Sequence, residues 1–130
     1  ANSAMDVLGR DIRMLVEPGR LLVEPAMVLY SRVLEVRRSR QRVGSIVVDA
    51  AVNLVSDFFA PSRRVLWRHD GSGDWTELSK GDGEILGRIC MENDRLRRMV
   101  DLPEDISEGD LLAFLGVGAY DESMAYEFAG

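Results

Sequence analysis

The chain has 130 residues, the size of one domain, and its 46% hydrophobic and 29% charged residues suit a globular protein with a real core. Its net charge of −6 argues against a general nucleic-acid or membrane-surface binder, which carries a basic excess. A single cysteine, Cys90, excludes an internal disulfide and the common zinc-ligand spacings. No apolar run approaches the roughly 20 residues of a membrane span and no cleavable signal is evident, so a cytoplasmic protein is expected.

The opening ANSA (residues 1–4) reads as a vector-derived scar before Met5. DIRMLVEP (11–18) predicts a short buried strand ending at Pro18, because the residue before a proline is driven to extended backbone. In GRLLVEPAMVLYSRV, the apolar Leu22, Val23, Met27, Val28 and Leu29 fit a short helix starting near Pro25. From Tyr30 the texture changes. YSRVLEVRRS and RVGSIVVDA are rich in β-branched residues on either side of a polar turn, the pattern of paired strands. The basic run EVRRSRQR (35–42) reads as a solvated strand and turn.

RRVLWRH (63–69) is a further strand that His69 ends, and HDGSGDW marks a turn. GEILGRIC (83–90) and GDLLAFLGVG (109–118) complete at least five strands, joined by the connector LPEDISEGD with Pro103 and Gly109 as breakers. The segment DESMAYEF predicts a short helix with Met124 and Phe128 turned inward. The fold class is therefore mainly β, a closed or nearly closed barrel over residues 30–130, with a strand–helix preface over residues 1–29. One strand and one helix form the repeating unit of a (β/α)8 barrel and cannot bury both faces alone, so the preface reads as the end of something larger.

Four segments carry chemistry. EPGR (17–20) alone is a type II turn with Pro18 and Gly19 at its centre. Cys90 alone is a small buried hydrophobe. Tyr120, after Gly116 and Gly118, sits where the backbone can approach another molecule closely, or is a half-buried tyrosine at a strand end. Taken in order, EPGR (17–20), GRICMENDRL (87–96), LPEDISEGDLLAF (102–114) and GAYDESMAYEFAG (118–130) resemble the C-terminal part of the pyridoxal-phosphate-dependent decarboxylases of the ornithine, diaminopimelate and biosynthetic arginine group. The resemblance implies the C-terminal β-barrel domain of a fold-type III, alanine-racemase-like decarboxylase, preceded by the last piece of its (β/α)8 barrel.

Pyridoxal phosphate takes up the electrons left when carbon dioxide departs from an amino acid. The resemblance implies that Glu17 holds the pyridine nitrogen protonated, as a carboxylate beside a base does. Arg20 matches the phosphate-binding arginine, whose fork offers two charge-assisted bonds, and Gly19 lets the backbone come close. The resemblance also implies that Tyr120 places its hydroxyl near the phosphate, and that Cys90 reaches the active site of the other subunit of a two-fold homodimer and directs protonation there. Relatives carry Asp or Glu directly after this cysteine, against the distal amino group of the substrate. Here the residue is Met91, with Glu92 next, and on an extended strand the two point to opposite faces. The departure puts a simple diamine-forming substrate in doubt and leaves room for a less usual amino acid, including a carrier-tethered one.

Asp94 reads as structural, and Ala129, where relatives have asparagine, is given no role. The family's Schiff-base lysine lies near the start of its barrel; the single lysine here, Lys80, reads as a surface-loop residue. The 130 residues alone are thus expected to be inactive. The alternative is a free-standing, non-catalytic β-domain that binds or regulates a partner. Glu17, Arg20, Cys90 and Tyr120 together favour the decarboxylase.

Overall fold

A computed structural model describes residues 15–39, 42–55 and 63–128. The ANSA segment, residues 11–14 of the expected first strand and Ala129 lie outside the described residues. Among the described residues, coil at Leu15–Pro18 is followed by helix α1 (Gly19–Val23), a 3-10 turn (Glu24–Ala26) and seven strands. These are β1 (Val28–Ser39), β2 (Arg42–Val48), β3 (Val65–Arg68), β4 (Thr76–Glu77), β5 (Lys80–Leu86), β6 (Arg95–Val100) and β7 (Leu111–Leu115).

The helix begins at Gly19 rather than near Pro25. Pro25 sits in the first turn of the 3-10 segment, where its missing N–H costs nothing. Val28 and Leu29, assigned to that helix from the sequence, open β1 and pair with Leu115 and Phe114. Lys80 is the first residue of β5 rather than a loop residue. GRIC leaves the strand: β5 stops at Leu86, and Gly87–Cys90 bends away. Two strands have no clear sequence signal, the two-residue β4 and the arginine-rich β6.

The sheet runs β4-β3-β7-β1-β2-β5-β6, and β2 with β5 is its one parallel pair. Strand β1 holds two partners in succession. Val28–Arg32 pair antiparallel with β7, and from Val33 onward the strand pairs with β2. Register shifts at Val33/Glu35 and Arg37/Arg38 mark this second half, and such irregularities bend a strand and raise its twist. The sheet thereby curls around one core that includes Val33, Ile46, Val48, Ile85, Val100, Ile106, Leu112 and Phe114. Each fully buried aliphatic side chain of this kind contributes about 1.5–3 kcal/mol.

Buried polar groups pin the curl. Ser31 Oγ donates to Asp49 Oδ1 at 2.6 Å and accepts from the Ala50 N–H at 3.1 Å, tying the end of β2 back to β1. At the other end, the buried Asp110 carboxylate accepts from Trp67 Nε1 and the Ser107 N–H, both at 3.0 Å, and lies 3.2 Å from His69 Nδ1. His69 reaches on to Asp105 through Nε2 at 3.2 Å.

Burial pushes the Asp110 carboxyl up, but the bonds from Ser107, Trp67, His69 and the Asp70 N–H outweigh it and hold the group below its ordinary value. His69 is held above its ordinary value by its bonds to Asp105 and Asp110. The signs differ. Asp110 contributes stability that is present above the unfolded carboxylate pKa of about 3.9 and is lost as pH falls through its lower folded value. His69 contributes stability that is complete below about 6.5 and is lost as pH rises through its raised folded value. Asp110→Ala should cost about 2–3 kcal/mol at neutral pH by stranding buried donors. In urea melts across pH, Asp110→Asn should flatten the acid limb and His69→Gln the limb above about pH 6.5; unchanged limbs would refute the assignment.

Candidate cofactor site

The EPGR segment folds back on itself as Gly19 N–H donates to the Glu17 carbonyl at 2.9 Å, and α1 starts there. Glu17 is exposed. A Cβ placed on Gly19 would lie 3.6 Å from the Tyr120 hydroxyl oxygen, so glycine backbone and tyrosine hydroxyl adjoin. Arg20 lies over the Tyr120 ring, with its guanidinium carbon 5.2 Å from the centroid, a distance at which the ring face attracts a cation. Arg20 Nη1 is buried without a hydrogen-bond partner and stands 3.7 Å from Glu24 Oε1. A buried, unsatisfied arginine donor is costly.

The turn bearing Tyr120 is fastened to the α1 side by backbone. Val117 N–H donates to the Met27 carbonyl at 3.3 Å and Gly118 N–H to the Glu24 carbonyl at 3.1 Å. Gly118 leaves no room for a side chain, since a Cβ there would overlap the Val23 carbonyl oxygen. Tyr120 itself takes φ = +71°, the left-handed region that costs a non-glycine residue about 1–2 kcal/mol. The turn is then closed by Met124 N–H and Ser123 Oγ, which donate to the Tyr120 carbonyl at 2.8 and 3.1 Å. No helix forms over DESMAYEF. Met124 faces solvent, contrary to the expected inward packing, while Phe128 is half-buried. A left-handed Tyr120 cannot start a right-handed helix, and Asp121 is drawn inward instead of Met124. Asp121 Oδ2 accepts from Arg63 Nη2 at 2.6 Å, with each side chain 3% exposed.

Cys90 belongs to a second cluster. Its loop, Gly87 to Asp94, is built around the buried Asp94 carboxylate, which accepts from the N–H groups of Val52 and Ile89 at 2.8 Å each. Gly87 N–H donates to the Asp94 carbonyl at 3.0 Å. Asp94 is thus the loop's internal support, in line with the structural role read from the sequence. The cysteine is exposed and lines a cavity of about 560 Å³ with Leu34, Glu35, Arg37, Met91 and Glu92 among others. Arg37 grips Glu35 with two bonds of 2.9 and 3.2 Å, which lowers the glutamate pKa and raises the arginine's.

Met91 and Glu92 are both exposed and lie in the loop, not on a strand, so the opposite-face argument does not hold. The Tyr126 hydroxyl meets Met91 Sδ at 3.3 Å, and Tyr126 is anchored to Asn53 through backbone and side chain. The segment after Tyr120 therefore reaches from the Arg20 cluster to the Cys90 loop.

Gly19, Arg20 and Tyr120 are brought together, and Cys90, Met91 and Glu92 form a separate group. Glu24 and the Arg63–Asp121 pair went unrecognised in the sequence. The spacing of Arg20 and Glu24, four apart on a helix, was the available signal for the first; a pair 58 residues apart in sequence leaves none.

A curled sheet domain entered by a short helix, with a tyrosine turn folded onto an arginine whose Nη1 lacks a hydrogen bond, defines a β-domain with a candidate anion site. The description "Pyridoxal-dependent decarboxylase, C-terminal sheet domain" matches residues 20–118, and the chain belongs to that family. Among similar sequences, diaminopimelate decarboxylase of Pseudomonas aeruginosa is 32% identical over 120 residues, 92% of this chain and 28% of the relative. The enzyme of the same name from Actinosynnema pretiosum is 35% identical over 121 residues, 89% of this chain and 25% of the relative. This chain thus spans little more than a quarter of these relatives' length.

Among solved structures, the Helicobacter pylori diaminopimelate decarboxylase complexed with L-lysine (I148L mutant) has a TM-score of 0.67 at 25% identity, covering 94% of this chain and 29% of that one. The arginine decarboxylase of Paramecium bursaria Chlorella virus shares the fold, with a TM-score of 0.67 at 23% identity over 86% of this chain and 30% of that one. Among the described residues, no helix is long and apolar enough to cross a membrane.

Gly118→Ala should force the Tyr120 turn off α1, lowering stability by about 1–3 kcal/mol. Gly73→Ala, where an added Cβ meets nothing within 4 Å, should stay within about 0.5 kcal/mol of the parent. Parallel thermal melts compare the two, and equal losses would show that the Gly118 contact is not limiting.

Proposed function

We propose that this chain is the C-terminal portion of a cytoplasmic, pyridoxal-phosphate-dependent amino-acid decarboxylase of the diaminopimelate/ornithine type. The observation that carries the proposal is the Nη1 of Arg20, buried without a hydrogen bond and with only a long 3.7 Å ion-pair contact to Glu24, beside the left-handed Tyr120. The donor set fits a phosphate: a guanidinium fork, a phenol hydroxyl and a glycine backbone that permits close approach. Arg20 and Tyr120 would bind the cofactor's phosphate, and Gly19 would pack against it. The exposed Glu17, three residues before Arg20, would hold a proton at the pyridine nitrogen. When bound, the cofactor supplies the electron sink for loss of the carboxylate.

Cys90 would act in trans in a two-fold homodimer, its loop held out from the sheet by Asp94, and deliver a proton to the carbon that loses carbon dioxide. The substrate would be a free amino acid whose far end meets Met91 and Glu92. No contact in the structure favours a carrier-tethered one. The 130 residues alone would be inactive, with the cofactor-linking lysine supplied by a preceding barrel, since the exposed Lys80 opens a strand away from the Arg20 cluster's elements.

The test uses the whole protein. Arg20→Ala should raise the dissociation constant for pyridoxal phosphate about 10- to 100-fold, the loss expected for a charged hydrogen bond. Cys90→Ala should lower kcat while leaving that constant unchanged. An Arg20→Ala protein that binds the cofactor like the parent would refute the assignment.

A further inference from the structure

The Arg63–Asp121 pair has no part in the functional reading above, yet it is the most buried ion pair among the described residues. Arg63 Nη2 and Asp121 Oδ2 are 2.6 Å apart, and both side chains are 3% exposed. The match is incomplete, since Arg63 Nε and Asp121 Oδ1 are buried with no hydrogen-bond partner. For stability alone such a pair is a poor choice, because apolar residues of similar volume do as well or better. Its position is informative. Asp121 directly follows Tyr120, the residue held at φ = +71°, and Arg63 directly precedes Arg64, whose carbonyl accepts from the Leu115 N–H at 3.0 Å. The pair ties the strained residue to the edge of the β3–β7 ladder, while Gly118 ties the other end of the turn to the Glu24 carbonyl.

We infer that Arg63 and Asp121 are positioning residues for Tyr120, an ion-pair clamp that keeps its backbone left-handed and so keeps its hydroxyl beside Gly19 and its ring under Arg20. The clamp touches neither phosphate nor substrate. It acts through Tyr120, and it rests on the reading of Tyr120 as a phosphate-side group. Strain at one residue persists only where its surroundings over-determine it, and a directional charge pair on the next residue is a constraint that an apolar contact cannot replace.

The experiment separates positioning from plain stability. In the whole protein, Arg63→Met combined with Asp121→Leu should keep the melting temperature of the cofactor-free protein, because the pair is exchanged for apolar bulk. It should nevertheless weaken binding of pyridoxal phosphate about tenfold and leave binding of pyridoxal, which lacks the phosphate, unchanged. Asp121→Asn should show the same phosphate-specific loss, with a lower melting temperature from the stranded arginine. Tyr120→Phe is the reference, and adding the double apolar change to it should cause a smaller loss than the same change causes in the parent. If the double variant melts and binds pyridoxal phosphate like the parent, or loses both ligands equally, the clamp is overturned. If Tyr120→Phe itself leaves pyridoxal phosphate binding unchanged, the reading of Tyr120 fails and the clamp falls with it. Weakened binding in Tyr120→Phe alone, with both pair variants unaffected, overturns the clamp and spares that reading.

Discussion

Strand β1 changes partners halfway along its length, and the domain's geometry follows from that. Residues up to Arg32 pair with β7, and residues from Val33 pair with β2. A strand with a partner on each side over different stretches cannot lie flat, and the irregular register at Val33/Glu35 gives it room to bend. The change-over is backed by hydrogen bonds on both sides of the bend. Val33 N–H donates to the Asp110 carbonyl at 2.8 Å, and Asp49 N–H to the Arg32 carbonyl at 3.0 Å. Because β7 runs on through Gly116 and Gly118 to Tyr120, the course of β1 also decides where the tyrosine turn lands. Met27, just before β1, accepts from Val117 just after β7. The α1 arginine and the tyrosine turn thus meet as a consequence of one strand pairing.

The two candidate clusters are built differently. The Arg20–Tyr120 group depends on small residues at close backbone contacts: Gly19 beside the hydroxyl, and Gly118 against the Val23 and Glu24 carbonyls. The Cys90 loop depends on a side chain that substitutes for a missing strand partner. The Asp94 carboxylate accepts two backbone N–H groups that would otherwise be buried unsatisfied. A loop supported in this way can present an exposed cysteine without sheet pairing behind it. The Tyr126–Met91 contact is the physical link between the two groups.

How much of this could be read from the sequence varied with the type of interaction. Strands β1, β2, β3 and β7 are dense in β-branched and apolar residues and were legible at the level of existence and order. Strand β6 was not. In RLRRMV only Leu96 and Val100 are buried, and three arginines hide the alternation. GRIC looked like more of β5 because Ile89 and Cys90 extend the apolar run; no local pattern reveals that the Asp94 carboxylate captures the Ile89 N–H. The expected tail helix failed for a similar reason. Met124 and Phe128 have helical spacing, but the inward residue is the charged Asp121, whose partner lies 58 positions earlier. Periodicity assumes that apolar residues decide which side faces in, and here a buried ion pair decided it. Of the site, the Arg20–Tyr120 encounter was reached through resemblance to a family, not through any property of either segment alone.

Tyr120 shows why a site of this kind tolerates expense. Its left-handed backbone, the Arg20 Nη1 that lacks a hydrogen bond and the two unsatisfied atoms of the Arg63–Asp121 pair are each unfavourable for a domain that only has to fold. Those around Tyr120 adjoin one another, while Arg68 Nε and Arg95 Nε are buried without a hydrogen bond elsewhere and Met99 also takes a positive φ. Arg20 touches Tyr120, Asp121 adjoins it, and Arg63 holds Asp121. By contrast Asp110, equally buried, is surrounded by donors from Trp67, Ser107 and His69. The same chain therefore satisfies the buried Asp110 carboxylate and leaves Asp121 Oδ1, beside Tyr120, without a hydrogen bond. An arginine nitrogen buried without a hydrogen bond beside a strained tyrosine is the kind of group an anion satisfies, and that is the ground on which the phosphate reading rests.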